Sequence, residues 1–277
     1  MFRCQRIVWP RTMRSGVTTT GGSGSAINTI MQLLSQYPGG TYSFMGMDTE
    51  SLFNDNLKNM PSDWRWRNEK VTYTLNSQGF RCAEFETIDW NNSILVIGDS
   101  TAFGTGVDDS QTCAKLLADL TNQSVINLSQ DAASAMYLWA NTSILVENNI
   151  SPKCVIYIWP SSSRVVEFSS DNRVQHRGVW GNVIENSLGF QWCMHPHQSD
   201  EFYKYAIKSV TAMWRCNVLH YTWSRAEAKM CNISHLYSDE LGRDCRYDSL
   251  LKRYTAHNGS DMNQAWAQIF QRDLYKV

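Results

Sequence analysis

The first feature of this sequence able to do chemistry is a hydroxyl at the expected carboxyl end of a buried strand. Ser93–Ile97 is a run without charges, the pattern of a strand covered on both faces. It leads into Gly98-Asp99-Ser100-Thr101-Ala102-Phe103-Gly104-Thr105-Gly106-Val107. Gly98 is expected to let the chain bend sharply. Asp99 is expected to tie down the turn by accepting backbone N–H bonds. Ser100 then stands at the rim of the sheet, where a serine whose proton is taken by a base can attack an acyl carbon. Gly-Asp-Ser alone is also an ordinary turn; the ten-residue context behind a buried strand is what singles it out. The segment is not a G-x-S-x-G elbow, which argues against the α/β-hydrolase family. Its glycines do not form G-x-x-x-x-G-K-[ST], which excludes a phosphate-binding P-loop.

The elements that must position this serine follow from hydrophobic periodicity. Cys113, Leu116, Leu117 and Leu120 recur at helical spacing, with Ser110 as a candidate cap. Ser124–Leu128 reads as a second strand, Ala132–Asn148 as a helix, and Lys153–Trp159 as a third strand stopped by Pro160. Asp200–Arg215 is helical and Val218–Trp223 is a fourth strand. Asp261 opens a last helix, with Gln264 in the capping-box position. Alternating strands and helices predict a parallel sheet covered on both faces, with ligands beyond the carboxyl ends of the strands. Ahead of this body, residues 1–40 are expected to form a flexible arm, with TTTGGSGS at 18–25 and a short helix at 26–36. Residues 41–92 form a preamble in which Val71–Leu75 alternates as a strand, and 93–277 form the main domain.

With these residues in place, the chain resembles the SGNH (GDSL-type) hydrolases. ILVIGDSTAFGTGV at 94–107 is similar to the family's first motif block. VINLSQDAAS at 125–134 is similar to the second, and YTLNSQGFR followed by Glu84 to a segment preceding the catalytic domain in one branch. The resemblance implies a three-layer α/β/α sandwich, flavodoxin-like, with a central parallel sheet. It implies ester hydrolysis through an acyl-enzyme and no cofactor. Ser100 is then the nucleophile, and its own backbone N–H is one oxyanion donor. Ser129, in Asn127-Leu128-Ser129, stands where the family usually has Gly, and its N–H is the second donor. The third block normally supplies an Asn after its strand; Trp159-Pro160-Ser161-Ser162-Ser163-Arg164 has none, leaving a Ser hydroxyl or a two-donor hole. Arg243-Asp244 resembles the start of the last block and His257-Asn258-Gly259 its end, with twelve residues between. The implied base is His257 and the implied acid Asp244, with Asp248 as the alternative.

Composition bounds the rest. Lys and Arg number 25 against 26 Asp and Glu, which argues against a protein built to neutralise nucleic-acid phosphate. No apolar run is long enough to span a bilayer. The start carries four Arg and no acid in 15 residues and lacks an apolar signal core; a basic arm is favoured over a transit peptide. None of the eight cysteines forms C-x-x-C, so buried thiols in a reducing, cytoplasmic compartment are expected. His195-Pro196-His197 is a weak metal signal, and no metal site is expected. His176, His195, His197, His220 and His235 read as loop or packing residues. Trp180, Phe190, Trp192, Phe202 and Tyr203 form either a sugar-stacking wall or ordinary packing. Arg164 either binds an anionic group of a substrate or makes a structural salt bridge. The triplets at Asn141 and Asn232 read as chance glycosylation motifs. The expected substrate is a small-molecule or carbohydrate ester, with no nucleic-acid or membrane partner. The alternative is a weakly active or inactive SGNH-like module that binds glycan or supports an assembly.

Overall fold

The computed structural model describes residues 31–168, 173–177, 196–236, 245–246 and 260–276. The preamble consists of β1 (Gly40–Tyr42), α1 (Glu50–Asn59) and β2 (Tyr73–Leu75), with β1 and β2 antiparallel. Then follow β3 (Ser93–Gly98), the one-turn α2 (Ser100–Phe103), α3 (Cys113–Thr121), β4 (Ser124–Asn127), α4 (Ala135–Glu147) and β5 (Cys154–Trp159). A hairpin of β6 (Val165–Phe168) and β7 (Val174–Arg177) comes next. The described chain continues with α5 (Pro196–Met213), β8 (Asn217–Thr222), α6 (Arg225–Cys231), the two-residue β9 (Ser234–His235) and α7 (Ser260–Leu274).

Five parallel strands lie in the order β4-β3-β5-β8-β9. Every residue of β3 and β5 is buried, because helices cover both faces. The period-2 alternation of a strand sorts their side chains. Ile94, Val96, Ile156 and Ile158 pack with Cys113 and Leu117 of α3 and with Met262, Trp266 and Phe270 of α7. Leu95, Ile97, Val155, Tyr157 and Trp159 pack on the other side with Leu138 and Leu145 of α4 and Tyr203 and Val210 of α5. The result is the expected three-layer α/β/α sandwich. In sequence terms the strand order is 2-1-3-4-5, that of a doubly wound flavodoxin-like sheet, whose switch point is the crevice beyond the carboxyl ends of β3 and β5.

Two local expectations change. The helix over 26–36 is absent in its described part: 31–36 is not helical. Asn141 takes over the backbone of Leu34, Oδ1 accepting its N–H at 2.8 Å and Nδ2 donating to its carbonyl at 3.0 Å, while Leu33 is buried in the core. Tertiary bonds thus override a weak helical pattern. Asn141 is itself fully buried. The cap of α3 is Thr112, which accepts from Lys115 N at 3.2 Å; Ser110 lies one turn earlier, in a 3-10 turn over Asp109–Gln111.

Candidate active site

Ser100 opens α2 directly beyond the carboxyl end of β3 and is 2% exposed. The turn that carries it depends on Gly98, though by close approach rather than by a bend. A Cβ there would lie 2.8 Å from the Ile158 carbonyl oxygen on β5 and 2.8 Å from Ala102 Cβ. The helix ends after one turn because Gly104 takes a left-handed φ of 83°, which suits glycine. The Ser100 carbonyl accepts from Gly104 N and Thr105 N, both at 3.1 Å.

Asp99 does more than the expected turn-binding. It is fully buried, and both carboxylate oxygens are engaged. Oδ1 accepts from Thr101 N at 3.1 Å and Thr101 Oγ1 at 2.5 Å. Oδ2 accepts from Arg164 Nη1 and Trp223 Nε1, each at 2.8 Å. The carboxylate preceding Ser100 is therefore the junction of three strand-end loops, those after β3, β5 and β8.

The loop after β4 closes the fourth side. Asn127 ties it to α2 through Nδ2 and the Ala102 carbonyl at 3.1 Å, and its Oδ1 accepts from Ser129 N at 3.1 Å. The N–H expected to serve as the second oxyanion donor is thus engaged within its own turn, while Ser129 Oγ is buried without a partner. The left-handed residue of this loop is Ala132, at φ 56°, three positions beyond the one where glycine was expected. Asp131 is buried and accepts from Thr105 Oγ1 at 3.1 Å. Burial pushes its carboxyl upward, against the opposing pull of Thr105 and of the Arg164 charge.

The hydroxyls of Ser161 and Ser162, beyond β5, are already engaged. Ser161 Oγ and Ser162 N donate to Glu227 Oε1 at 3.1 and 2.9 Å, and Ser162 Oγ donates to Asp200 at 3.0 Å. Tyr203 is core: its ring packs edge-on against Trp159 and its hydroxyl donates to the Pro160 carbonyl at 2.8 Å. Phe202 is partly buried against the same core. His220 is a packing residue between Trp159 and Thr211. His235 Nε2 lies 3.2 Å from the Trp223 carbonyl. Among the described residues no cluster of His, Cys, Asp or Glu forms a metal site. His257, Asp244, Asp248, His195, Trp180, Phe190 and Trp192 lie outside the described residues.

Sequence reading missed Trp223, Asp131 and Arg81. The first two sit just past the carboxyl ends of β8 and β4, the zone that the sheet topology singles out. Arg81 supports the turn after Ser100 from the preamble: its guanidinium donates to the carbonyls of Phe103, Gly104, Val107 and Thr72 at 2.7–3.1 Å and pairs with Asp109.

The described part of the chain is therefore a doubly wound α/β/α domain with a serine and a saturated aspartate at its switch point. No family model and no curated protein matches it. Solved structures do. One is a carbohydrate esterase family 2 enzyme with a carbohydrate-binding domain from Corynascus thermopiles (Myceliophthora fergusii), at 10% identity and TM-score 0.42, covering 67% of this chain and 66% of that one. Another is a lipolytic protein of the G-D-S-L family from Veillonella parvula, at 10% identity and TM-score 0.41, covering 67% and 99%. A third is an acetyl xylan esterase from Butyrivibrio proteoclasticus, at 12% identity and TM-score 0.41, covering 67% and 64%. The match thus spans just under two thirds of the first and third of these chains. The second is described by the G-D-S-L name that residues 94–107 resemble; at such identities and scores these structures assign no residue a role.

Proposed function

We propose that the protein is a serine ester hydrolase of SGNH type that removes an acyl group, in the first instance acetyl, from a carbohydrate or other small ester. The observation that carries this reading is the position of Ser100, at the first residue of a one-turn helix beyond β3, anchored through Asp99 to the loops after β5 and β8. A nucleophile held this way loses little freedom on reaching the transition state. In the proposed reaction His257 takes the Ser100 proton as Oγ bonds to the acyl carbon. It returns that proton to the leaving alcohol as the ester C–O bond breaks. Asp244, or Asp248 in its place, orients the imidazole. Water then repeats the sequence and releases the acid. Backbone N–H groups of Ser100 and Ser129 are the proposed oxyanion donors; Ser129 would exchange its bond to Asn127 for one to substrate. The six described cysteines are free thiols, which favours a reducing, cytoplasmic setting. No helix among the described residues is long and apolar enough to cross a membrane.

The test is turnover of a short-chain aryl ester such as p-nitrophenyl acetate by the wild type and by Ser100→Ala. The reading expects hydrolysis that the substitution abolishes; equal turnover in both proteins overturns it. A second reading, a weakly active or inactive glycan-binding module, is favoured by the engagement of Ser129 N–H and of the Ser161 and Ser162 hydroxyls elsewhere. Binding of polysaccharide with no turnover in the wild type would select it.

A further inference from the structure

We propose that Arg164 donates to the oxyanion, replacing the side-chain donor that the third motif lacks. This inference rests on the esterase reading above. Three observations lead to it. Arg164 lies in the loop after β5, across the switch point from Ser100, and its Nη1 is 2.8 Å from the carboxylate of Asp99, the residue bonded to Ser100 in the chain. Its guanidinium also pulls on the buried carboxyl of Asp131 from the loop after β4. Asp99 after β3 and Trp223 after β8 flank the group, which stands at the carboxyl ends of three neighbouring strands beside the switch point. Finally, guanidinium carries five N–H donors, and among the described residues Asp99 is the hydrogen-bond partner of this one.

The side chain is built to hold still. It is 10% exposed, its ion-pair partner is fully buried, and it lies over the Trp223 ring at 5.7 Å. Trp223 in turn donates to the same Asp99 oxygen. A fixed, nearly dry donor needs no reorganisation when charge develops, which is the condition for strong oxyanion stabilisation. The hydroxyls beyond β5 are engaged elsewhere: Ser161 and Ser162 bond to Glu227 and Asp200, and Ser163 Oγ lies 3.0 Å from Ser161 Oγ. As Ser100 Oγ bonds to the acyl carbon, the carbonyl π pair moves onto oxygen, and a guanidinium N–H donates to it. When that pair returns, the alcohol leaves with the proton carried by His257. Arg164 itself gains and loses no proton.

The experiment measures kcat and KM for p-nitrophenyl acetate with Arg164→Met, Arg164→Gln and Arg164→Ala, the last with and without millimolar guanidinium chloride. Arg164→Met is expected to lower kcat by about 10²–10³-fold with KM little changed, the loss typical of one donor. Arg164→Gln, which keeps an N–H donor, recovers part of that loss, and guanidinium raises the rate of Arg164→Ala. Where Arg164→Met fails to fold, Asp99→Asn/Arg164→Met removes the stranded buried charge and keeps a helix-capping side chain; it should show the same kcat loss. Unchanged kcat, an effect confined to KM, or a loss that neither Gln nor guanidinium relieves overturns the inference while leaving the esterase intact. A wild type without turnover overturns the esterase reading first, and the inference with it.

Discussion

Arg246 grips Asp48 with two hydrogen bonds across 198 residues of chain, Nε to Oδ1 at 3.1 Å and Nη2 to Oδ2 at 2.6 Å. Both groups are buried. Asp48 also accepts from the Tyr73 hydroxyl at 2.5 Å, and the guanidinium lies over the rings of Phe44 and Phe53. Arg246 N donates to the Gly106 carbonyl at 2.9 Å. The preamble is thus joined both to the turn following Ser100 and to the short stretch around Arg246. Removing one partner of such a pair strands a buried charge, at a cost of about 3–5 kcal/mol. Asp48→Ala is therefore expected to lower the urea midpoint sharply. The double variant Asp48→Ala/Arg246→Met is expected to recover part of the loss. A midpoint unchanged in the single variant contradicts the role given to this pair.

Arg81→Lys should be as damaging as a non-conservative change. The guanidinium serves four carbonyls and Asp109 at once, and an ammonium with three N–H groups cannot reach them all. Each buried acceptor left unpaired costs on the order of 1–3 kcal/mol. Three of those carbonyls belong to Phe103, Gly104 and Val107, so turnover should fall along with the urea midpoint. A variant with wild-type stability and rate would show that this cluster does not hold the turn after Ser100.

His220 predicts an acid-sensitive fold. Trp159 Nε1 donates to its Nδ1 at 3.0 Å, so the ring proton is on Nε2, which faces Thr211 Oγ1 at 2.8 Å. Protonating Nδ1 would set one N–H against another. Burial pushes the imidazole down from 6.5 to about 4. Between those values the unfolded chain binds a proton that the fold refuses. Stability is full above the unfolded value and declines as the pH falls, by up to about 1.4 kcal/mol per pH unit. The urea midpoint should drop less between about pH 7 and about pH 5 in His220→Gln than in the wild type. Parallel pH profiles for the two proteins would contradict this.

The framework of the fold was legible because central parallel strands are read as uninterrupted apolar runs. The expected Ser93–Ile97 and Lys153–Trp159 differ by one residue from β3 and β5. The expected helix over Ala132–Asn148 is α4, shortened because Ser134 supplies the cap by accepting from Tyr137 N. The two-residue β9 has too little sequence to show a period, and it exists through its pairing with β8. The position of Ser100 was legible for the same reason as β3, since a strand end is a local signal. The partners of Asp99 were not. Trp223 is 124 residues away and Arg164 is 65, and only the strand order brings those loops together.

The central claim is that Ser100 Oγ is the atom that becomes acylated. A fluorophosphonate, which bonds to an activated serine as its fluoride leaves, tests it directly. After incubation with the purified protein, the adduct is located by peptide mass spectrometry. The account predicts one adduct, on the peptide containing Ser100, absent from Ser100→Ala and much slower to form in His257→Ala. An adduct on another residue, or none on folded wild-type protein, would contradict it.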